Sequence, residues 1–177
     1  MISKSEIARK SVHLLGLLYI PGLLVLGKNP MFLVVLTLTA LGAVVEFIRR
    51  KYVVIPEEIL RDYEKKDLGA FMYTGIAFSA ITPLFPTSAC LIAASCAFAG
   101  DGVAGIFKRI KKELALPSYF FSSLLVAHLV NLPPIPSLVA IATSYLFEGK
   151  KLLNDNLTIP FSSAVVYYLL EKLLLFN

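Results

Sequence analysis

Apolar stretches of nearly 20 residues recur along the chain and constrain its fold more than any other feature of the sequence. Short turn signals separate them, such as Lys28-Asn29-Pro30 and the proline-rich segment 131–136. A helix needs about 20 apolar residues to cross the hydrocarbon core of a bilayer. We therefore expect an all-α, polytopic integral membrane bundle of about seven transmembrane helices. The predicted spans are roughly 9–27, 31–48, 69–84, 88–107, 116–131, 135–148 and 158–175.

Composition supports the same class. Hydrophobic residues make up 57% of the 177 residues and charged residues only 16%, whereas soluble domains carry about 25% charged residues. No phosphate-binding loop or dinucleotide fingerprint of a soluble nucleotide-binding fold is present. We expect one transmembrane domain over 1–177, no removable signal peptide, and two buried, unbridged thiols at Cys90 and Cys96.

The distribution of charge predicts the orientation of the spans. With the N-terminus in the cytoplasm, every Lys and Arg except Lys28 and Lys172 falls on the inner side. The net charge of +5 is then an orientation signal, and nucleic acid is not an expected partner. All acids except Glu171 lie on the same side, which the positive-inside effect does not require. This mixture of charges indicates a functional cytoplasmic face.

The longest polar segment, about 49–68, follows the second predicted span. Its apolar residues Ile55, Ile59 and Tyr63 recur at helical spacing. We expect an amphipathic cytoplasmic segment lying on the membrane surface.

Two groups of charges fall at the ends of the first two spans. Glu6, Arg9, Lys10 and His13 share one helical face, which suits either an anionic ligand or interface anchoring with His13 packed. Glu46 and Arg49, at the end of the second span, are spaced for a local ion pair.

Asp101 is the most informative acid in the chain. It lies between two glycines inside an apolar span, about 10 Å from Lys108 along a helix. Small residues beside it would let a helix or a ligand approach the backbone closely. An ionised carboxylate inside a span needs a partner, which a divalent cation or a base would supply.

A third polar group precedes the last span, in "EGKKLLNDNLTIPFSS" at 148–163. Asn156 or Thr158 could cap this helix, with Pro160 in its first turn. A helix start of this kind favours phosphate, and Glu148 and Asp155 supply the oxygen ligands that Mg²⁺ takes. Simple capping and turn chemistry is the alternative interpretation.

In these segments the sequence resembles the CTP-dependent lipid-alcohol kinases: dolichol kinase, phytol kinase and the CTP-dependent diacylglycerol kinase. The matching motifs are "EIARKSVHLLG" (6–16), "EFIRR" (46–50), "YEKKDLGAFMYTGIAF" (63–78), "FAGDGVAGIFKR" (98–109) and "EGKKLLNDNLTIPFSS" (148–163). They occur in the family's order across nearly the whole chain. One departure is Pro117-Ser118, where family members carry a Glu-Gly-Ser element.

The resemblance implies Mg²⁺-dependent transfer of the γ-phosphate of CTP to a lipid alcohol at the cytoplasmic face. Asp101, Asp155 and Glu148 would then hold the metal, and His13 or Glu64 would activate the hydroxyl, with Asp101 also counted among the catalytic residues. The expected phosphate- and nucleotide-binding residues are Arg9, Lys10, Lys108, Asn156 and Thr158.

Two other functions and several details stay open on the sequence alone. The membrane CTP:lipid-phosphate cytidylyltransferases share a similar G-D-x-x-A…K-R signature. A small transporter would also use a charged cytoplasmic vestibule, although the outer halves of the spans hold few polar residues. The identity of the lipid and the oligomeric state, a homo-oligomer included, are not specified.

Overall fold

The structure, a computed structural model, describes residues 13–52, 68–148 and 154–175. These ranges contain helices and turns and no strand. Seven helical segments follow one another: α1 (His13–Leu26), α2 (Lys28–Tyr52), α3 (Ala70–Leu84), α4 (Thr87–Ile110), α5 (Ala115–Leu129), α6 (Pro134–Tyr145) and α7 (Asp155–Leu175). The prediction of an all-helical chain with seven helices is confirmed for these residues.

Three of the helices are long and apolar enough to cross a bilayer. They are α2, α4 and α7, whereas α1 and α3 are shorter apolar helices. On α2, large side chains such as Leu33, Leu38 and Phe47 are exposed. Only 17% of its most apolar 18-residue stretch is buried within the bundle. An apolar face of this extent is typical of contact with lipid. The length and composition of these helices are thus compatible with a membrane protein.

Helix α4 is the centre of the bundle. Every residue from Ala89 to Gly100 is buried, and most of them are small. Small side chains let neighbouring helices approach closely, and α1, α5 and α7 all pack against this stretch. Cys90 and Cys96 lie in it as buried free thiols, which confirms that expectation.

Contacts between distant helices show which helix ends lie together. At one end, Lys108 of α4 reaches Glu148, just beyond α6, and Glu46 of α2 lies beside Gly69 at the start of α3. At the other end, Ser88 at the start of α4 donates to Glu171 near the end of α7, at 2.9 Å. Because successive helices run in alternating directions, the ends of α2, α4 and α6 and the starts of α3 and α7 lie at the first end, called here the polar end.

Some predicted boundaries are wrong by several residues. Helix α2 begins at Lys28, and Pro30 lies in its first turn, where a missing amide hydrogen costs nothing. Helix α7 begins at Asp155, three residues before the predicted start at 158. The surface segment predicted at 49–68 is helical as part of α2 up to Tyr52, and residues 53–67 lie outside the described ranges.

Candidate functional site

A π-helical segment, Ser95–Gly100, interrupts α4 immediately before Asp101. The amide of Asp101 donates to the carbonyl of Cys96, five residues earlier, which is the π spacing. This register shift changes the direction of the side chains that follow, and such insertions often occur at functional sites. Asp101 is therefore positioned by an irregular turn whose six residues are all buried.

His13 and Asp101 are brought together at this turn. His13 Nε2 lies 3.3 Å from Asp101 Oδ2 and 2.6 Å from the carbonyl oxygen of Ala97. Because a carbonyl only accepts hydrogen bonds, Nε2 carries a proton and donates it there. Both side chains are largely buried, at 17% and 20% exposure. Nδ1 of a neutral His13 is then the ring atom that can take up a proton, and the Asp101 carboxylate stabilises the resulting cation.

The two glycines around Asp101 face different helices. A Cβ atom at Gly100 would overlap Ser123 and lie 2.9 Å from the ring of Tyr119, both on α5. One at Gly102 would lie 2.8 Å from Leu14 on α1. The close approach expected at these small residues is therefore made by α5 at Gly100 and by α1 at Gly102. The glycines let α1 and α5 clamp the backbone that carries Asp101.

Lys108 and Glu148 form the second pair at the polar end. Lys108 Nζ donates to Glu148 Oε1 at 3.1 Å, although the two residues are far apart in sequence. The Glu148 side chain is only 8% exposed, and its Oε2 has no hydrogen-bond partner among the described residues. Burying a carboxylate oxygen without a hydrogen-bond donor costs free energy, unless a ligand or a cation binds that oxygen. Lys108 is 46% exposed and so accessible to an anion.

The start of α7 is capped by a residue that the sequence interpretation overlooked. Asn154 Oδ1 accepts from the backbone amide and the side-chain amide of Asn156, both at 3.0 Å. Asn156 and Thr158 are therefore not the cap. Pro160, which was predicted to lie in the first turn, is the sixth residue of the helix. The "NDN" run offers several capping residues, and only the observed register selects Asn154. Asp155 is the first residue of the helix and half-buried.

Thr158 is placed differently from the other predicted phosphate-binding residues. Its hydroxyl donates to the carbonyl of Asn154 at 3.3 Å, one turn earlier. The rest of its side chain lines an open groove beside α6. Binding of phosphate by Thr158 stays a prediction.

The acid and bases near the end of α2 form a buried cluster. Glu46 Oε2 accepts from Arg49 Nε, and Glu46 Oε1 from Arg50 Nε, each at 2.9 Å. Glu46 and Arg49 are 3% and 6% exposed, so the predicted local ion pair is present but more deeply buried than a helix-end pair would be. A bidentate Arg–carboxylate pair fixes both side chains. It lies beside the start of α3.

Among residues 13–52, 68–148 and 154–175, no three His, Cys, Asp or Glu side chains form a cluster able to hold a metal ion by themselves. Mg²⁺ usually takes only one or two carboxylates and completes its shell with phosphate oxygens and water. The unpartnered oxygen of Glu148 fits such a partial ligand set. Arg9, Lys10 and Glu64 lie outside the described ranges.

Comparison with models of known protein families, with curated proteins and with solved structures gave no match.

Proposed function

We propose that the chain is a multi-pass membrane enzyme that transfers the γ-phosphate of CTP to a lipid alcohol, with its N-terminus and its polar end in the cytoplasm. The observation that carries the proposal is the pair of contacts along α4. Asp101 meets His13, and Lys108 meets Glu148, both towards the polar end of the bundle. The preference for CTP rests on the resemblance of the motifs to the lipid-alcohol kinases.

The cost of placing these charges supports a ligand at the polar end. Ionisable residues within a transmembrane helix cost about 2.5–3.5 kcal/mol each on insertion scales. Asp101 lies two turns inside the end of α4, and Glu148 is buried with one oxygen unpartnered. Apolar residues at these two positions would pack without that cost. Such groups are usually retained because they bind or react with something.

Phosphoryl transfer needs the groups that this end supplies, because it depends mainly on positioning and charge neutralisation. Lys108, with Arg9 and Lys10, would bind the phosphates of CTP, and Asn156 and the first turn of α7 would hold a phosphate or the base. Glu148 and Asp155, with Asp101, would hold Mg²⁺. When bound, Mg²⁺ supplies positive charge to the phosphate oxygens.

His13 is the best-supported base for the acceptor. In the proposed step the oxygen of the lipid alcohol forms a bond to the γ-phosphorus. The bond from the γ-phosphorus to the oxygen that joins it to the β-phosphorus breaks, and CDP leaves. The hydroxyl proton passes to Nδ1 of His13, since Nε2 already donates to Ala97. Asp101, 3.3 Å from Nε2, would stabilise the protonated ring. Glu64 is the alternative base.

Labelled CTP offered to the protein in lipid vesicles tests the proposal. Polyprenols, phytol and diacylglycerol are supplied in turn, and extracted lipid is counted. We expect label from [γ-³²P]CTP in the lipid, dependent on Mg²⁺. Label from [α-³²P]CTP, appearing with lipid phosphates as acceptors, would instead identify a cytidylyltransferase. No transfer of either label to any lipid would refute both enzyme assignments.

A further inference from the structure

A groove of about 390 Å³ opens between α6 and α7, on the outside of the bundle. Thr143 on α6 and Phe147 just beyond α6 form one side, and Thr158, Phe161 and Val165 lie on α7. The volume lies near the lower limit of small-molecule sites, which span about 300–1,000 Å³. The groove is therefore large enough for part of one ligand chain.

The lining is apolar even where it contains hydroxyl residues. Thr143 donates to the carbonyl of Val139 at 2.9 Å, and Thr158 donates to that of Asn154 at 3.3 Å. Ser162 likewise donates to the carbonyl of Ile159, at 3.1 Å. Because these hydroxyl groups bond to their own helices, carbon atoms form the surface that a ligand would meet. Hydrocarbon suits this surface and a polar ligand does not.

The groove runs from the polar end into the apolar part of the bundle. On α7 it follows residues 158, 161, 162, 165 and 166, which share one face and extend over about 12 Å. The end of the groove nearest the polar end includes Phe147, which precedes Glu148, and Thr158, which lies one turn from the Asn154 cap. A molecule lying in it would place one end beside Phe147, which precedes Glu148, and the other among apolar residues of α7.

We propose that this groove holds the hydrocarbon tail of the lipid acceptor, with the hydroxyl at the polar end, and that the acceptor reaches the site laterally between α6 and α7. The inference rests on the proposed function. A single groove between two helices fits the one chain of a prenol better than the paired chains of a diglyceride. One end of the groove includes Phe147, the residue before Glu148, and this position at the polar end distinguishes the groove from an ordinary lipid-facing surface.

Filling the groove tests the proposal. Val165→Trp places a large ring in it, and Val44→Trp makes the same change on an exposed position of α2. For Val165→Trp we expect KM for a long-chain prenol to rise about tenfold or more, because several methylene contacts are lost. Its KM for a short, water-soluble prenol should rise less than its KM for the long-chain prenol, whereas Val44→Trp should change neither. Equal KM values of the two variants for the long-chain prenol would overturn the proposal.

A binding measurement separates this inference from the proposed function. A prenol with a diazirine in its tail is photolysed with the protein in phospholipid nanodiscs, and labelled peptides are identified by mass spectrometry. We expect label on residues 158–166 that unlabelled prenol displaces and added phospholipid does not. Displacement by both alike would show an ordinary bilayer lipid in the groove and refute the inference. Specific labelling without any phosphate transfer would refute the kinase assignment alone.

Discussion

At the scale of single residues, the contact between His13 and Asp101 gives a partner to the acid that lies deepest from the polar end of α4. The two residues come from helices far apart in sequence, and the contact also uses the carbonyl of Ala97. The chemistry and depth of both side chains make them candidates from the sequence alone. Their pairing could not be predicted, because it depends on how α1 packs against α4.

Replacing the acid tests its role. We expect Asp101→Asn to lower CTP-dependent phosphorylation of lipid by about 10²-fold or more, because the amide neither stabilises a protonated His13 nor binds a cation. Glu113→Gln, a matched change at an exposed acid beyond the end of α4, should keep full activity. Initial rates with [γ-³²P]CTP and size-exclusion profiles of both variants give the comparison. Wild-type rates for Asp101→Asn would contradict the assignment.

The glycine before Asp101 makes a second prediction at this scale. Gly100→Ala should destabilise the protein by about 1–3 kcal/mol, because the methyl group would overlap Ser123 and the buried ring of Tyr119. Gly22→Ala is the control, since its nearest neighbour is the flexible end of Met31. Thermal unfolding in detergent measures both. A melting temperature for Gly100→Ala that equals that of the control would show that α5 has room to move.

At the scale of elements, the π-helical segment is the feature that sequence analysis could not supply. Composition and periodicity predicted a helix over 88–107, and both α and π spacing satisfy that pattern. The choice between them depends on packing of the buried residues Ser95–Gly100 against the surrounding helices. The same holds for the start of α7, where three polar residues in a row were suitable caps and the structure uses Asn154.

Removing the extra residue tests whether the π turn positions Asp101. Deletion of Ala99 should restore α spacing, so that the aspartate amide bonds to Cys96 over four residues rather than five and the carboxylate turns by a few tens of degrees relative to His13. We expect lipid phosphorylation to fall while the helical circular dichroism signal is kept. Ala99→Gly keeps the register and should retain most activity. Full activity after the deletion would show that the π turn is not needed.

At the scale of the whole molecule, hydropathy predicted most of the fold. Apolar runs and turn residues identified the seven helices, three of which are long and apolar enough to cross a bilayer. The central position of α4 was not predicted, although its buried run of small residues is a signal that could have shown it. The meeting of several helix ends at the polar end follows from the alternating directions of the helices.

The proposed orientation of the molecule can be tested by chemical accessibility. With the N-terminus in the cytoplasm, Arg109→Cys should be inaccessible to a membrane-impermeant maleimide in intact cells and reactive after permeabilisation. Lys172→Cys should react in intact cells. Cys90 and Cys96 are buried, so they should give little background. Labelling of Arg109→Cys alone in intact cells would reverse the topology.

The measurement that tests the central claim most directly is Mg²⁺-dependent binding of CTP to the protein in nanodiscs. The claim is that the charges gathered at the polar end hold metal-bound CTP beside a lipid alcohol. Equilibrium binding of labelled CTP should require Mg²⁺ and should weaken by about tenfold or more in Glu148→Gln, which loses a charged ligand. Binding that is absent at millimolar CTP, or unchanged by both Mg²⁺ removal and the substitution, would contradict the account.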